Sequence, residues 1–333
     1  MADNILNDSF FGRRPAWHRK GTIMDKDVTA REALAIIHGY EVVMEDMQTV
    51  SGIAVPNRAI VRMPTVDDPE KRIFGIVGPE YELVTLEDAV DIWDTNVKRP
   101  IETMGLLGKY GENFFCTTWL PSMTVRGEEV RNYLLLNSPM DGFASAQALI
   151  SPVCTVCENT LRLAESMALQ RLRVIHDKDV KTRLATWMVK MVEDAEAKTQ
   201  TLKEAFEIFA KHKVNDEETT KVTTAAYPDP KTPVRNAPDE IMKVRWENYE
   251  YEKHRVEKAR ASVVQLFQGA GTAMDTKARK GTLWGLYNAV TERENYRRGG
   301  SVESSAQSVL FGWRGWAMEQ AFKAGMEIVG AKG

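Results

Sequence analysis

Residues 101–153 read IETMGLLGKYGENFFCTTWLPSMTVRGEEVRNYLLLNSPMDGFASAQALISPV, and they decide the fold. Apolar side chains recur near every second position through 101–108, 113–120, 131–137 and 144–150, the period of a half-buried strand. Gly, Pro, Asp and Asn fill the gaps between these runs. Gly108 and Gly111 bracket Lys109 and Tyr110, and glycine adopts the positive φ of a tight hairpin turn at no steric cost. Connections this short join antiparallel neighbours, so the stretch predicts a β-meander.

Working outward, further strands are expected at 41–48, 52–62 and 72–77, and Leu86, Ala89, Val90, Ile92 and Trp93 mark a helix near 85–97. Thr29 with Glu32 three residues on has capping-box spacing ahead of Ala33, Leu34, Ile36 and Ile37. After the meander a helix is expected at TVCENTLRLAESMALQ, residues 155–170. Beyond 178, Leu184, Met188, Met191, Val192 and Ala195, then Leu202, Ala205, Phe206 and Phe209, recur at helical steps. Residues 214–238 hold four prolines and few large apolar groups, which reads as a mobile loop or linker. Helix resumes at Pro238-Asp239-Glu240, and glycines at 269, 271 and 281 precede the last two helices. The expected fold class is α+β: an antiparallel β-meander packed against a helix, followed by a mainly helical C-terminal half. The expected divisions are an N-terminal arm and helix over 1–40, an α+β core over 41–178 and a helical region over 179–333.

Of the 333 residues, 43% are hydrophobic and 27% charged, enough for a substantial core in a chain of one or two domains. No run of about 18 apolar residues occurs, so no membrane span is expected. The N-terminus lacks a basic segment followed by an apolar run, and three cysteines suit a reducing compartment, so the expected location is cytoplasmic. The net charge of −3 does not favour nucleic acid, yet residues 251–300 set ten basic groups against five acids, a local +5. Local field steers a ligand more than net charge does.

Motifs for catalysis are scarce. Cys154-x-x-Cys157 invites a zinc or redox reading, but the only other cysteine is Cys116, and buried cysteines commonly act as small apolar residues. No histidine pair has metal-ligand spacing, and no phosphate-binding glycine loop or nucleophile elbow occurs. His176, after the alternating Arg171 and Arg173, is either a general base or a structural histidine. No catalytic residue, metal or cofactor is assigned, and the chain is not expected to be an enzyme.

Basic and aromatic clusters remain. The arm offers Arg13, Arg14, Trp17, Arg19 and Lys20. The hairpin offers Lys109 and Tyr110, and the helix expected after the meander Asn159, Arg162, Arg171 and Arg173. The C-terminal region adds Arg279, Lys280, Trp284, Tyr296, Arg297 and Arg298, with Tyr287, Trp313, Trp316, Arg293 and Arg314 nearby. Arginine and lysine neutralise phosphates, and stacking a base on an aromatic ring is worth about 1–3 kcal/mol. The same residues equally suit an ordinary helix pair with a solvated face.

Several segments, in order, carry a family resemblance: Trp17-His18 with Gly21, EYELVTLEDAVDIWD (80–94), ETMGLLGKYG (102–111), YLLLNSPMDG (133–142), VCTVCENTL (153–161), LWGLYNAVTE (283–292) and SVLFG (308–312). The chain resembles the phage/plasmid-related family catalogued as a domain of unknown function. It departs at Arg19-Lys20, where the family tends to a glycine-rich W-H-x-x-G, and at Asn295-Tyr296, where the family pattern has an acidic residue and a histidine. The resemblance implies a mobile-element origin and work inside a bacterial host cell, with no agreed activity. A meander feeding a helix, with a basic hairpin and helix face, is also similar to the core of single-strand annealing proteins. That likeness implies single-stranded DNA as partner, a homo-oligomeric ring or filament, no nucleotide or metal, and a phage exonuclease or single-strand binding protein alongside. A non-enzymatic interaction factor, using the helical half and the 214–238 loop, and an enzyme centred on Cys154, Cys157 and His176 are the competing expectations.

Overall fold

The computed structural model describes residues 10–11, 22–24, 26–154, 159–160, 171–236, 238–296 and 313–330. It is an α+β fold built on two sheets and two apolar cores.

The larger sheet has eight strands in the order β10-β9-β8-β7-β6-β1-β2, with β11 also paired to β9. Its centre is the expected meander: β6 (Thr103–Leu107), β7 (Asn113–Val125), β8 (Glu128–Pro139) and β9 (Ala146–Cys154), antiparallel throughout. β1 (Phe10–Phe11) pairs antiparallel with β6 and parallel with β2 (Thr22–Ile23). β10 (Asn159–Thr160) and β11 (Arg171–Val174) both pair antiparallel with β9. The helix expected over 155–170 is therefore strand at 159–160; its other residues lie outside the described ones. A smaller sheet holds β3 (Val42–Gln48), β4 (Ala54–Arg62) and β5 (Arg72–Val77) in that order.

Cross-strand partners share a face, so one side of the large sheet carries Met104, Leu106, Phe114, Cys116, Leu134, Leu136, Ala148 and Ile150. This side packs against α1 (Ala30–Ile36), α2 (Leu86–Ile92, continued by a wide turn over Trp93–Val97) and α3 (Val180–Glu193), forming the first core. Thr29 and Thr85 each close a capping box, with Glu32 and Asp88 respectively.

The second core gathers α4 (Ala195–Lys211), α5 (Asp216–Ala226), α6 (Asp239–Gln265), α7 (Leu283–Tyr296) and α8 (Trp313–Ile328). Residues 283–291 of α7 are buried without interruption, as befits a helix surrounded by its neighbours. The far end of the β7–β8 hairpin reaches this core through Met123, Val125 and Val130. Residues 216–226, expected as loop, form α5 because Asn215 and Glu218 cap it reciprocally and Val222, Thr223 and Ala226 face the core.

Candidate functional site

The turn of the β6–β7 hairpin occupies its own anion-binding groups. The backbone N–H groups of Lys109 and Tyr110 donate to Glu112 Oε1 at 3.2 Å and Oε2 at 2.8 Å. Gly108 at φ 105° and Gly111 at φ 84° let the turn wrap the carboxylate; a Cβ on Gly108 would meet Glu112 Cδ at 2.4 Å. The Tyr110 ring is covered as well, by the Arg72 guanidinium at 4.7 Å and Lys109 Nζ at 4.8 Å. Arg72 and Arg62 both bind Asp68, whose carboxyl they hold well below the usual carboxylate range, hydrogen bonds from Arg72 contributing most. Tyr110 is therefore a brace between the two sheets, its ring already covered where base stacking was expected, and Lys109 is exposed.

Two further expected contacts are buried. Arg279 is fully buried, and its Nε donates to Glu128 Oε2 at 2.9 Å. Trp284 is fully buried too, with Nε1 donating to the same oxygen at 3.1 Å. Thr276 Oγ1 donates to Glu128 Oε1 at 3.0 Å, completing a network that fastens the β7–β8 turn to the helical half. Neither side chain can meet a phosphate or a base from solvent. Tyr287 belongs to the same core, Arg293 stacks at 4.8 Å over the ring of Tyr227, and Arg314 donates to the Glu294 carbonyl at 3.3 Å. Tyr296, Trp313 and Trp316 remain exposed, and the two tryptophan rings stack at 4.6 Å. Lys280 is exposed, and its backbone carbonyl oxygen accepts a hydrogen bond from Lys213 Nζ.

What the fold brings together is the outer edge of β9. Its inner edge is taken by β8 along Gln147–Cys154, so β10 and β11 share the other. Asn159 stands opposite Cys154, Arg171 opposite Leu149 and Arg173 opposite Gln147. Three residues read from sequence as one cluster thus occupy one sheet edge, with β10 lying against α7. The face of the sheet turned away from the first core continues the pattern inward: Phe115, Asn137, Gln147 and Arg173 form one row across four strands. In this row Arg173 is exposed, whereas Phe115, Asn137 and Gln147 are buried, and Asn137 Oδ1 has no partner among the described residues. Trp119 and Tyr133, opposite each other further along the same two strands, are half-buried. Sequence reading overlooked these inward residues; the signal lay in the alternation of the strands, which assigns them to the face opposite Leu106, Leu134 and Leu136. Arg162, Arg297, Arg298, Cys157 and the basic residues of the arm lie outside the described residues.

His176 sits just beyond the end of β11, buried, with Nδ1 3.1 Å from the Glu82 carbonyl oxygen and its ring stacked on Tyr81 at 4.9 Å. A carbonyl only accepts, so Nδ1 carries the proton, and burial lowers the imidazole's pKa. Cys116 is buried in the first core, where burial pushes its thiol well up. Among the described residues no three His, Cys, Asp or Glu side chains group to hold a metal, and no helix is long and apolar enough to cross a membrane.

Comparison with curated proteins and with solved structures returns no match. Residues 73–310, which include part of each core and the β9 edge, match the family model described as Domain of unknown function (DUF932), and the chain belongs to that family.

Proposed function

We propose that this chain binds single-stranded DNA and promotes strand annealing, without nucleotide or metal and as a homo-oligomer, in phage or plasmid recombination or replication. The observation that carries the reading is the register of β9, which gathers Asn159, Arg171 and Arg173 on one sheet edge. Arg171 and Arg173, two residues apart on a strand, are spaced at about 7 Å, which suits successive phosphates of an extended strand. Lys109 and Lys280 are outlying cations on this reading, and Tyr296, Trp313 and Trp316 are the exposed rings on which bases would stack.

The test is annealing of two labelled complementary oligonucleotides across a salt series, followed by binding of one of them to the Arg171→Ala/Arg173→Ala variant. The reading expects salt-sensitive acceleration, and each arginine that no longer neutralises a phosphate should flatten the salt slope by about 0.7. A variant that binds as tightly as the parent chain, with the same slope, removes the β9 edge from the site.

A second reading has its own observation. The first half of α6 buries Met242 alone, and Ile241, Val244, Trp246 and Tyr251 are exposed along it. A helix without tertiary packing is marginal in water, and exposed apolar groups of this size mark contact surfaces. On this reading the chain is an interaction factor for a host or phage protein. It predicts a specific partner that no longer binds after Trp246→Glu, together with no salt-sensitive DNA binding.

A further inference from the structure

An exposed tryptophan on α3 lies on the side of that helix next to the strand that carries Arg171 and Arg173. α3 follows β11 in the chain, and its two flanks are told apart by what they touch. Lys181 is ion-paired with Asp88 of α2 at 2.9 Å, so that flank faces α2. Arg183 Nη2 donates to the Ile175 carbonyl oxygen at 3.1 Å, just past the end of β11, so the other flank faces β11. At about 3.6 residues per turn, Trp187 and then Lys190 follow Arg183 up this second flank. Arg183 also binds Asp177, and it serves as the anchor of the flank.

Trp187 is 41% exposed. A single exposed apolar group is ordinary; the charges beside this one are not. Lys190 is exposed, its Nζ stands 5.3 Å from the centre of the indole ring, and it meets no carboxylate among the described residues. α4 carries the same line onward, because the Asp194 N–H donates to the Lys190 carbonyl and the Lys198 N–H to the Asp194 carbonyl. Asp194 is the acid on this line, and the buried Lys198 answers it, Nζ to Oδ2 at 3.7 Å. Burial holds the Lys198 ammonium below the usual lysine range; Asp194 raises it and Lys190 lowers it, so the two lysines feel one another. Glu193 falls, by the helical step, on the far side of Lys190 from Trp187 and β11. An uncancelled cation thus stands beside an exposed indole, one to two turns from the anchor at the end of β11.

We infer that Trp187 and Lys190 extend the β11 site, a base of the single strand stacking on Trp187 and an adjoining phosphate meeting Lys190. The inference rests on the reading that this chain holds single-stranded DNA at Arg171 and Arg173. A single strand presents flat rings and anions in alternation, whereas a duplex keeps its base faces stacked inside, so the pair selects for unpaired DNA. Lys198 touches no part of the strand; it neutralises Asp194, which would otherwise repel the phosphate.

The experiment is binding of a labelled oligothymidylate to the full chain, to Trp187→Ala and to Lys190→Ala across a salt series. Both residues are exposed, so each variant should keep the parent circular dichroism. Trp187→Ala should bind about tenfold more weakly with an unchanged salt slope, and that loss should vanish on an abasic strand of equal length. Lys190→Ala should flatten the slope by about 0.7. Lys198→Met should weaken binding at low salt, and adding Asp194→Asn should restore it. If the Trp187 and Lys190 variants bind as the parent does while Arg171→Ala/Arg173→Ala binds more weakly, the inference is overturned and the β9 edge stands. A Trp187→Ala loss that persists on the abasic strand overturns it too, because the ring would then be structural. A parent chain that binds no strand even at low salt overturns the single-strand reading itself, and this inference with it.

Discussion

At the scale of single residues, the most consequential contact is the buried pair of Arg279 and Glu128, 2.9 Å apart and 151 positions separated in sequence. Removing one partner of a buried pair strands the other charge, which costs about 3–5 kcal/mol. Arg279→Met should therefore lower the urea unfolding free energy by about that amount. The double variant Arg279→Met/Glu128→Gln should recover some of it, since the stranded carboxylate is gone. Sequence could not reveal this role: an arginine beside Lys280 in a basic window looks the same whether it faces water or a glutamate half the chain away. Trp284 misleads for the same reason, because its indole N–H serves the same carboxylate. Lys109, by contrast, is legible as a turn residue, because glycines at 108 and 111 mark the turn on both sides. His176 gives a second residue-scale expectation. Its folded pKa is depressed by burial, so on acidification the unfolded chain takes up the proton first. Stability contributed by the neutral ring is intact above the unfolded value of about 6.5 and is lost as pH falls from there through the folded pKa. His176→Asn should flatten the pH dependence of the urea midpoint just below neutrality; a profile as steep as the parent's would assign that dependence to other groups.

At the scale of elements, alternation writes the meander plainly, and strand and turn positions agree with it to within a few residues, except that β7 and β8 run on to meet at Gly127. The extension is hidden because Pro121 and the bulge between Leu120 and Met123 interrupt the period there. α5 is hidden for another reason: it is threonine-rich and buries Val222, Thr223 and Ala226 only, so it has no stripe to read. Its one signal is the pair Asn215 and Glu218, whose hydrogen bonds hold Glu218 below its usual pKa, the Asn215 backbone N–H contributing most. Asn215→Ala removes the cap and should cost about 1 kcal/mol, read as a shift of the unfolding midpoint. Glycine tests helix contact more sharply. A Cβ on Gly285 in α7 would lie 2.1 Å from the Arg279 carbonyl oxygen, a backbone atom that accepts hydrogen bonds from the Thr282 N–H and hydroxyl, whereas Gly78 has open space around it. Gly285→Ala should therefore destabilise by about 1–3 kcal/mol, as overpacking does, and Gly78→Ala should change little. Equal effects would mean that α7 can shift away from the turn.

At the scale of the whole molecule, two cores raise the question of whether they melt together. A chain of this size commonly unfolds in stages, one core at a time. Here the long β7–β8 hairpin runs through both: Phe114, Cys116, Leu134 and Leu136 lie in the first core, Met123, Val125 and Val130 in the second. Its turn is held by Glu128 to Arg279, and by the Arg126 backbone N–H to Glu207 on α4 at 2.9 Å. Melting the helical half would expose the apolar end of the hairpin and leave Glu128 without its partners. Melting the sheet would remove the surface on which α4 packs. Each core thus makes the other's intermediate costly. The expected outcome is one cooperative transition. Phe114→Ala in the first core and Phe206→Ala in the second, both fully buried, should each destabilise by about 3–5 kcal/mol. Each should also move the far-ultraviolet and near-ultraviolet circular dichroism transitions together. If Phe206→Ala instead splits the curve, with helix lost while the sheet's aromatic signal persists, the hairpin is a tether between independent units and the cooperative account fails.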